Sequence, residues 1–218
     1  ADVSGYLKSS RPAAVEQTAD GGYIIAGSIY SVFGFDDVYI LKTDSDGNIQ
    51  WHKVYGGTGY DKAADVHQTS TGEYIVVAST ESFGVGSPYS PSLYALKLSA
   101  AGDSIWTKTY NYSSDDYADA AKVKELADGN FIVCGTGYLN SFPDDINAML
   151  LKINSSNGDV LWSKSYGGAQ NYEFCYDVKQ TNDGGFIMAG RARINFSQPD
   201  CFLMKIDATG NSIQWVKT

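Results

Sequence analysis

The side chains with chemistry to offer are carboxylates and aromatic rings gathered in the stretches between apolar runs. Asp36, Asp37, Asp115, Asp116, Asp144, Asp145 and Asp200 lie there, interleaved with Phe35, Tyr89 and Phe142. Adjacent carboxylates repel one another unless a cation or a donor sits between them. The pairs Asp36-Asp37 and Asp144-Asp145, read as one site just before an apolar run, therefore point to calcium or to backbone N–H donors at a loop end. The second reading is preferred, and calcium is the one cofactor left open. Aromatic faces beside acids suit a sugar ring or a protein contact. A pair of carboxyl groups across one cleft would suffice for glycan hydrolysis. No HExxH, GxSxG or Walker loop occurs. Binding is therefore expected, with a carbohydrate-active enzyme as the alternative.

Composition narrows the classes further. The 218 residues carry a formal charge of −9 and a pI near 4.6. No Lys/Arg run supplies a phosphate-binding footprint, so nucleic acid is not an expected partner. No apolar stretch is long enough to span a membrane as a helix. Cys134, Cys175 and Cys201 are odd in number and lack CxxC spacing, so neither a disulfide framework nor a zinc site is expected. Sequons at Asn111, Asn154 and Asn195 permit glycosylation. The chain begins at Ala1, which fits either a removed signal peptide or a cut chain; on the first reading the protein is expected outside the cell or on its surface.

These residues must be positioned by repeated elements. Trp51, Trp106, Trp162 and Trp215 are spaced by 55, 56 and 53 residues. Lys42, Lys97, Lys152 and Lys205 are spaced by 55, 55 and 53. A third marker runs QTADGGYIIAG from Gln17, QTSTGEYIVVA from Gln68, ELADGNFIVCG from Glu125 and QTNDGGFIMAG from Gln180. A period near 50 with turn signals and no helical periodicity predicts four-stranded antiparallel blades. The units are read as 13–55, 63–110, 118–166 and 174–217 of one domain. Repetition of the Trp and Lys at fixed blade positions makes them structural. The cysteines align with Ala, Val and Leu, predicting buried small side chains. Small residues at Ala13, Ala14, Ala63, Ala64, Ala118, Ala120 and Ala121 suit a tight four-bladed ring, from which Phe174-Cys175-Tyr176 departs as a candidate channel plug. The alternative is half of an eight-bladed ring completed by a second copy.

The units resemble the bacterial and archaeal surface-protein β-propeller repeat family through DGGYIIAG, DVYILKTDSDGNIQW and YGG. More loosely they are similar to the tryptophan-docking motif of quinoprotein-type propellers, with Gly47, Gly102, Gly158 and Gly210 in the turn before each Trp. The Asp of that motif is matched to Thr43, Leu98, Asn154 and Asp207. Asp44-Ser45-Asp46-Gly47-Asn48 looks like a calcium-loop fragment, but its sister turns do not keep the oxygens, so a plain turn is expected. The resemblance implies architecture rather than activity; together with the acidic exterior, the missing catalytic motif and the aromatic rim it leads to the expectation of a non-catalytic exported scaffold or binding module. Its partner would be a protein or glycan at the loop face, or further copies in an oligomer, fibre or surface layer.

Overall fold

A computed structural model describes residues 10–30, 34–84, 91–110, 118–137, 146–167, 171–193, 198 and 200–218. Sixteen strands and no helix occur among them. Blade 1 holds β1 (Ser10–Gln17), β2 (Tyr23–Tyr30), β3 (Asp36–Thr43) and β4 (Ile49–Tyr55). Blade 2 holds β5 (Asp61–Gln68), β6 (Tyr74–Thr80), β7 (Ser92–Leu98) and β8 (Ser104–Tyr110). Blade 3 holds β9 (Ala118–Glu125), β10 (Phe131–Gly137), β11 (Asn147–Ile153) and β12 (Val160–Tyr166). Blade 4 holds β13 (Tyr172–Gln180), β14 (Phe186–Arg193), β15 (Asp200–Ile206) and β16 (Ile213–Lys217). Each blade is an antiparallel meander in chain order. The chain is thus an all-β propeller of four four-stranded blades.

Apolar residues on both faces of the second and third strands require a neighbour on each side. Each blade accordingly has an incoming face toward the preceding blade and an outgoing face toward the next. Ile24, Ala26 and Ile40 of blade 1 pack on Val66, Tyr74, Val76 and Leu96 of blade 2. Ile75, Val77 and Ala95 then pack on Val123, Phe131 and Leu151. Ile132, Cys134 and Leu150 pack on Val178, Phe186 and Met204. Polar links repeat with the packing. The N–H groups of Ala19, Ser70 and Ala127 donate to the side chains of Gln68, Glu125 and Gln180, at 2.7, 2.7 and 3.0 Å. The hydroxyls of Tyr55, Tyr110 and Tyr166 donate to the carbonyls of Gly102, Gly158 and Gly210.

Trp51, Trp106 and Trp162 bridge blades, each with its ring over the left-handed glycine of the next blade's turn. Gly158, at φ +75°, needs both freedoms of glycine. Any Cβ there would lie 2.9 Å from the Trp106 ring and 2.7 Å from Lys108 Cγ. Trp215 departs from the expectation. It is 41% exposed, with no turn of another described blade over its ring. Cys201, also expected to be buried, is exposed as well: it lies on the outgoing face of blade 4. Cys134 and Cys175 are buried, and all three thiols are free. Among the described residues no fourth apolar cluster joins blade 4 to blade 1.

Each inner strand carries an irregularity at one equivalent place: Pro12/Ala14, Ala63/Asp65, Ala120/Lys122 and Cys175/Asp177. A bulge bends the strand and re-aims the extra residue. Ala13, Ala64 and Ala121 take that place in three blades, and Tyr176 takes it in the fourth. The small-residue stripe and the aromatic departure read from the sequence thus coincide with one backbone feature.

Candidate functional site

The four repeated lysines sit at the ends of the third strands. Their cations reach back to the acid of the turn between the first two strands. Lys42 pairs with Asp20 at 2.8 Å, Lys97 with Glu73 at 2.8 Å, Lys152 with Asp128 at 2.6 Å and Lys205 with Asp183 at 2.8 Å. Lys42 also donates to the Thr43 carbonyl at 2.8 Å. Hydrogen bonds from Lys42 and Lys205 hold the Asp20 and Asp183 carboxyls far below the usual carboxylate range. Lys97 lowers Glu73. At Asp128 burial pushes the carboxyl up, but Lys152 and the Asn130 N–H outweigh it. These groups tie each hairpin together and belong to the scaffold.

The turn before each Trp is scaffold as well. Strand register puts Asp44 and Ser99, not Thr43 and Leu98, at the places of Asn154 and Asp207. All four positions thus keep a side-chain oxygen. Asp44 Oδ1 accepts from the N–H groups of Asp46 and Asn48, at 3.0 and 2.8 Å. Asn154 accepts from Ser156 N–H at 2.8 Å, and Asp207 from Asn211 N–H at 3.0 Å. The calcium-loop fragment is an Asx turn, and the Asn154 sequon lies in the equivalent turn.

The loop rim is only partly described. Asp115, Asp116, Asp144, Asp145, Phe142, Tyr89, Asn111 and Asn195 lie outside the described residues. Asp36 and Asp37 are not loop residues: they begin β3 and are buried. Register matches them to Ile146 and Asn147 of blade 3, so they do not share a site with Asp144-Asp145. Arg11 lies 3.7 Å from Asp36. Phe35, half-buried, packs edge-on against the exposed Tyr60 with ring centres 5.0 Å apart. Asp200 is exposed at the start of β15. Asp61 is fully buried, accepting from Thr80 Oγ1, from Ser82 Oγ at 2.6 Å and from Gly57 N–H at 3.0 Å. Among the described residues no three His, Cys, Asp or Glu side chains gather as a metal site.

A cleft of about 330 Å³ lies where the inner strands of blades 2, 3 and 4 converge. Its polar and aromatic lining comprises Lys62, Ser79, Asp119, Thr136, Phe174 and Tyr176. Lys62, Asp119 and Phe174 occupy one equivalent position, next to the alanines and Cys175 that the repeat does keep. Burial pushes the Asp119 carboxyl up, against a hydrogen bond with Ser79 and the charge of Lys62. Phe174 and Tyr176 stand nearly parallel, 16° apart, with ring centres 6.4 Å apart. Arg191 lies over the Phe174 ring at 5.5 Å, a cation–π contact that stiffens the wall. Tyr176 is 52% exposed. A flat aromatic wall facing a half-buried acid, a hydroxyl pair and a cation can take up a small polar ring. Sequence reasoning named the aromatic departure but missed Lys62, Asp119 and Arg191. The signal that would have found them is a change of chemistry at two paired repeat positions, Lys62/Asp119/Phe174 on the first strand and Ser79/Thr136/Arg191 opposite them on the second.

No family model matches the chain, and no curated protein matches it in sequence. Solved structures do match in fold. A protein of unknown function from Dyadobacter fermentans aligns with TM-score 0.61 and 12% identity over 94% of this chain. The chain spans 63% of that protein's length. An endo-arabinase from Bacteroides thetaiotaomicron aligns with TM-score 0.56 and 13% identity, covering 89% of this chain and 74% of the other. A quinohemoprotein alcohol dehydrogenase from Comamonas testosteroni aligns with TM-score 0.51 and 12% identity, covering 91% and 45%. At these identities the likeness establishes the propeller fold alone.

Proposed function

We propose that the chain is a non-catalytic binding module of an exported or cell-surface protein, and that its central cleft holds one carbohydrate unit. The observation that carries the reading is the break in the repeat. Positions that build blades stay alike in all four, whereas the position facing the cleft changes from Lys62 to Asp119 to Phe174. The Phe174–Tyr176 wall supplies a stacking surface. Asp119, Ser79 and Thr136 supply acceptors and donors for ring hydroxyls. Binding is favoured over hydrolysis because glycoside cleavage uses two carboxyl groups about 5–10 Å apart. Among the described lining residues Asp119 is the single carboxyl.

The test is titration calorimetry with a panel of neutral mono- and disaccharides, alongside release of nitrophenol from the matching aryl glycosides. Saturable binding that disappears in Tyr176→Ala, at unchanged melting temperature, and no nitrophenol release are expected. Turnover that is lost in Asp119→Asn would replace the module with an enzyme. Absence of binding across the panel would overturn the carbohydrate reading.

A further inference from the structure

The two ends of the blade series carry faces that every interior blade buries. Val66, Val123 and Val178 are at most 1% exposed on incoming faces, whereas Val15, at the same place in blade 1, is 66% exposed. Tyr23 stands where Tyr74, Phe131 and Phe186 are buried. On outgoing faces Ile40, Ala95 and Leu150 are fully buried, yet Leu203 of blade 4 is 41% exposed. Trp215 has no glycine beneath its ring, and Gly47, at φ +82°, has nothing within 4 Å of where a Cβ would lie. At the three interior junctions that same space is filled by Trp51, Trp106 or Trp162. Contiguous apolar surface of this kind marks an interaction site.

The complement of each open face is printed on the other end of the same chain. We propose that blade 4 of one copy docks on blade 1 of a second copy, and that two such junctions close an eight-bladed ring. Each new junction repeats an interior one. Trp215 covers Gly47 of the second copy as Trp106 covers Gly158. Val15 of the second copy enters a hollow of about 180 Å³ lined by Asp177, Lys179, Ile187, Ala189 and Leu203. Asn182 N–H meets Gln17 as Ala127 N–H meets Gln180. Charge agrees as well: Glu16 faces His67 at 2.8 Å across the first junction, and the equivalent pair at the open edge is Lys179 and Glu16. Each junction is head-to-tail; in a closed pair a twofold axis relates the two junctions, and without closure the same junction would propagate as a filament.

Light scattering on the eluting 218-residue chain reads the outcome. The expected mass is twice 23.6 kDa, about 47 kDa. Leu203→Glu and Val15→Glu change side chains that are exposed within one copy, so each variant keeps its circular dichroism and runs at half that mass. Mixing the two variants leaves one intact junction and restores the dimer. Cys201, exposed in a single copy, reacts slowly with a thiol reagent in the wild-type dimer and quickly in Leu203→Glu. A wild-type mass of 23.6 kDa at every concentration overturns the proposal. So does a dimer that survives both variants, or mixed variants that stay monomeric. A mass climbing past the dimer overturns the closed ring.

Discussion

The glycine under each bridging tryptophan allows packing and backbone strain to be separated within one molecule. Gly47→Ala and Gly158→Ala place the same methyl group on turns of nearly the same φ, +82° and +75°. An L residue in the left-handed region costs roughly 1–2 kcal/mol, and both variants share that cost. At Gly158 the methyl also meets the Trp106 ring at 2.9 Å and Lys108 Cγ at 2.7 Å, whereas at Gly47 it meets nothing. Overpacking costs typically about 1–3 kcal/mol. Gly158→Ala should therefore lose roughly 2–5 kcal/mol and Gly47→Ala roughly 1–2 kcal/mol. At about 2–4 °C per kcal/mol for a chain of this size, the two melting temperatures should differ by roughly 2–12 °C. The comparison is made by calorimetry in the Leu203→Glu background, where the open edge stays free. Equal shifts, or a larger one at Gly47, would refute the seating of Trp106 as the cause. Without Leu203→Glu, the dimer brings Trp215 over Gly47, and Gly47→Ala should then also weaken the dimer.

Three further outcomes follow from the same contacts. Lys42→Met removes a cation only 3% exposed that holds Asp20 and the Thr43 carbonyl, and should cost about 1.5–3 kcal/mol by urea unfolding; a neutral result would make the repeated lysines dispensable. Carboxyls held low in the folded state contribute stability above their ordinary values and lose it as pH falls. Asp20, Glu73, Asp128 and Asp183, with ordinary values of 3.8 to 4.5, should therefore lower the melting temperature progressively below about pH 4.5. Asp119 has the opposite sign, because its folded carboxyl is raised: Asp119→Asn should raise the melting temperature at neutral pH and make no difference in acid below its ordinary 3.8. A fall at neutral pH would mean that the ionised Asp119 is a needed partner of Lys62.

The fold was legible because the repeat states every decision four times. The Asp-Gly turns, the Lys at a strand end and the Trp beyond it fix strand order and number without any single segment being diagnostic. Two kinds of information were not legible. One was alignment to within a residue: matching Thr43 rather than Asp44 to Asn154 hid the fact that every turn keeps an oxygen acceptor, and matching Asp36-Asp37 to Asp144-Asp145 created a paired site that strand register dissolves. A slip of one residue moves a side chain to the other face of a strand, so an approximate alignment preserves the fold and scrambles the site. The other was the fate of the ends. Trp215 and Cys201 have the same sequence context as their sisters, yet both are exposed on the outgoing face of blade 4, which no other described blade covers.

That contrast sets out where function can reside in a repeated architecture. A side chain present in all four blades answers a demand that all four blades share, and the shared demands here are packing, turn closure and the lysine–carboxylate tie. A site for one ligand needs unlike groups around one space, so it must arise where the copies disagree while the backbone stays constant. The bulge on the inner strands provides that constancy, holding Ala64, Ala121 and Tyr176 at one geometry. The neighbouring position then supplies a cation at Lys62, an acid at Asp119 and a ring at Phe174 around a single cleft. Partial burial already disfavours the ionised Asp119, against a hydrogen bond with Ser79 and the charge of Lys62, and a ligand hydroxyl entering beside the aromatic wall would add a further donor to it.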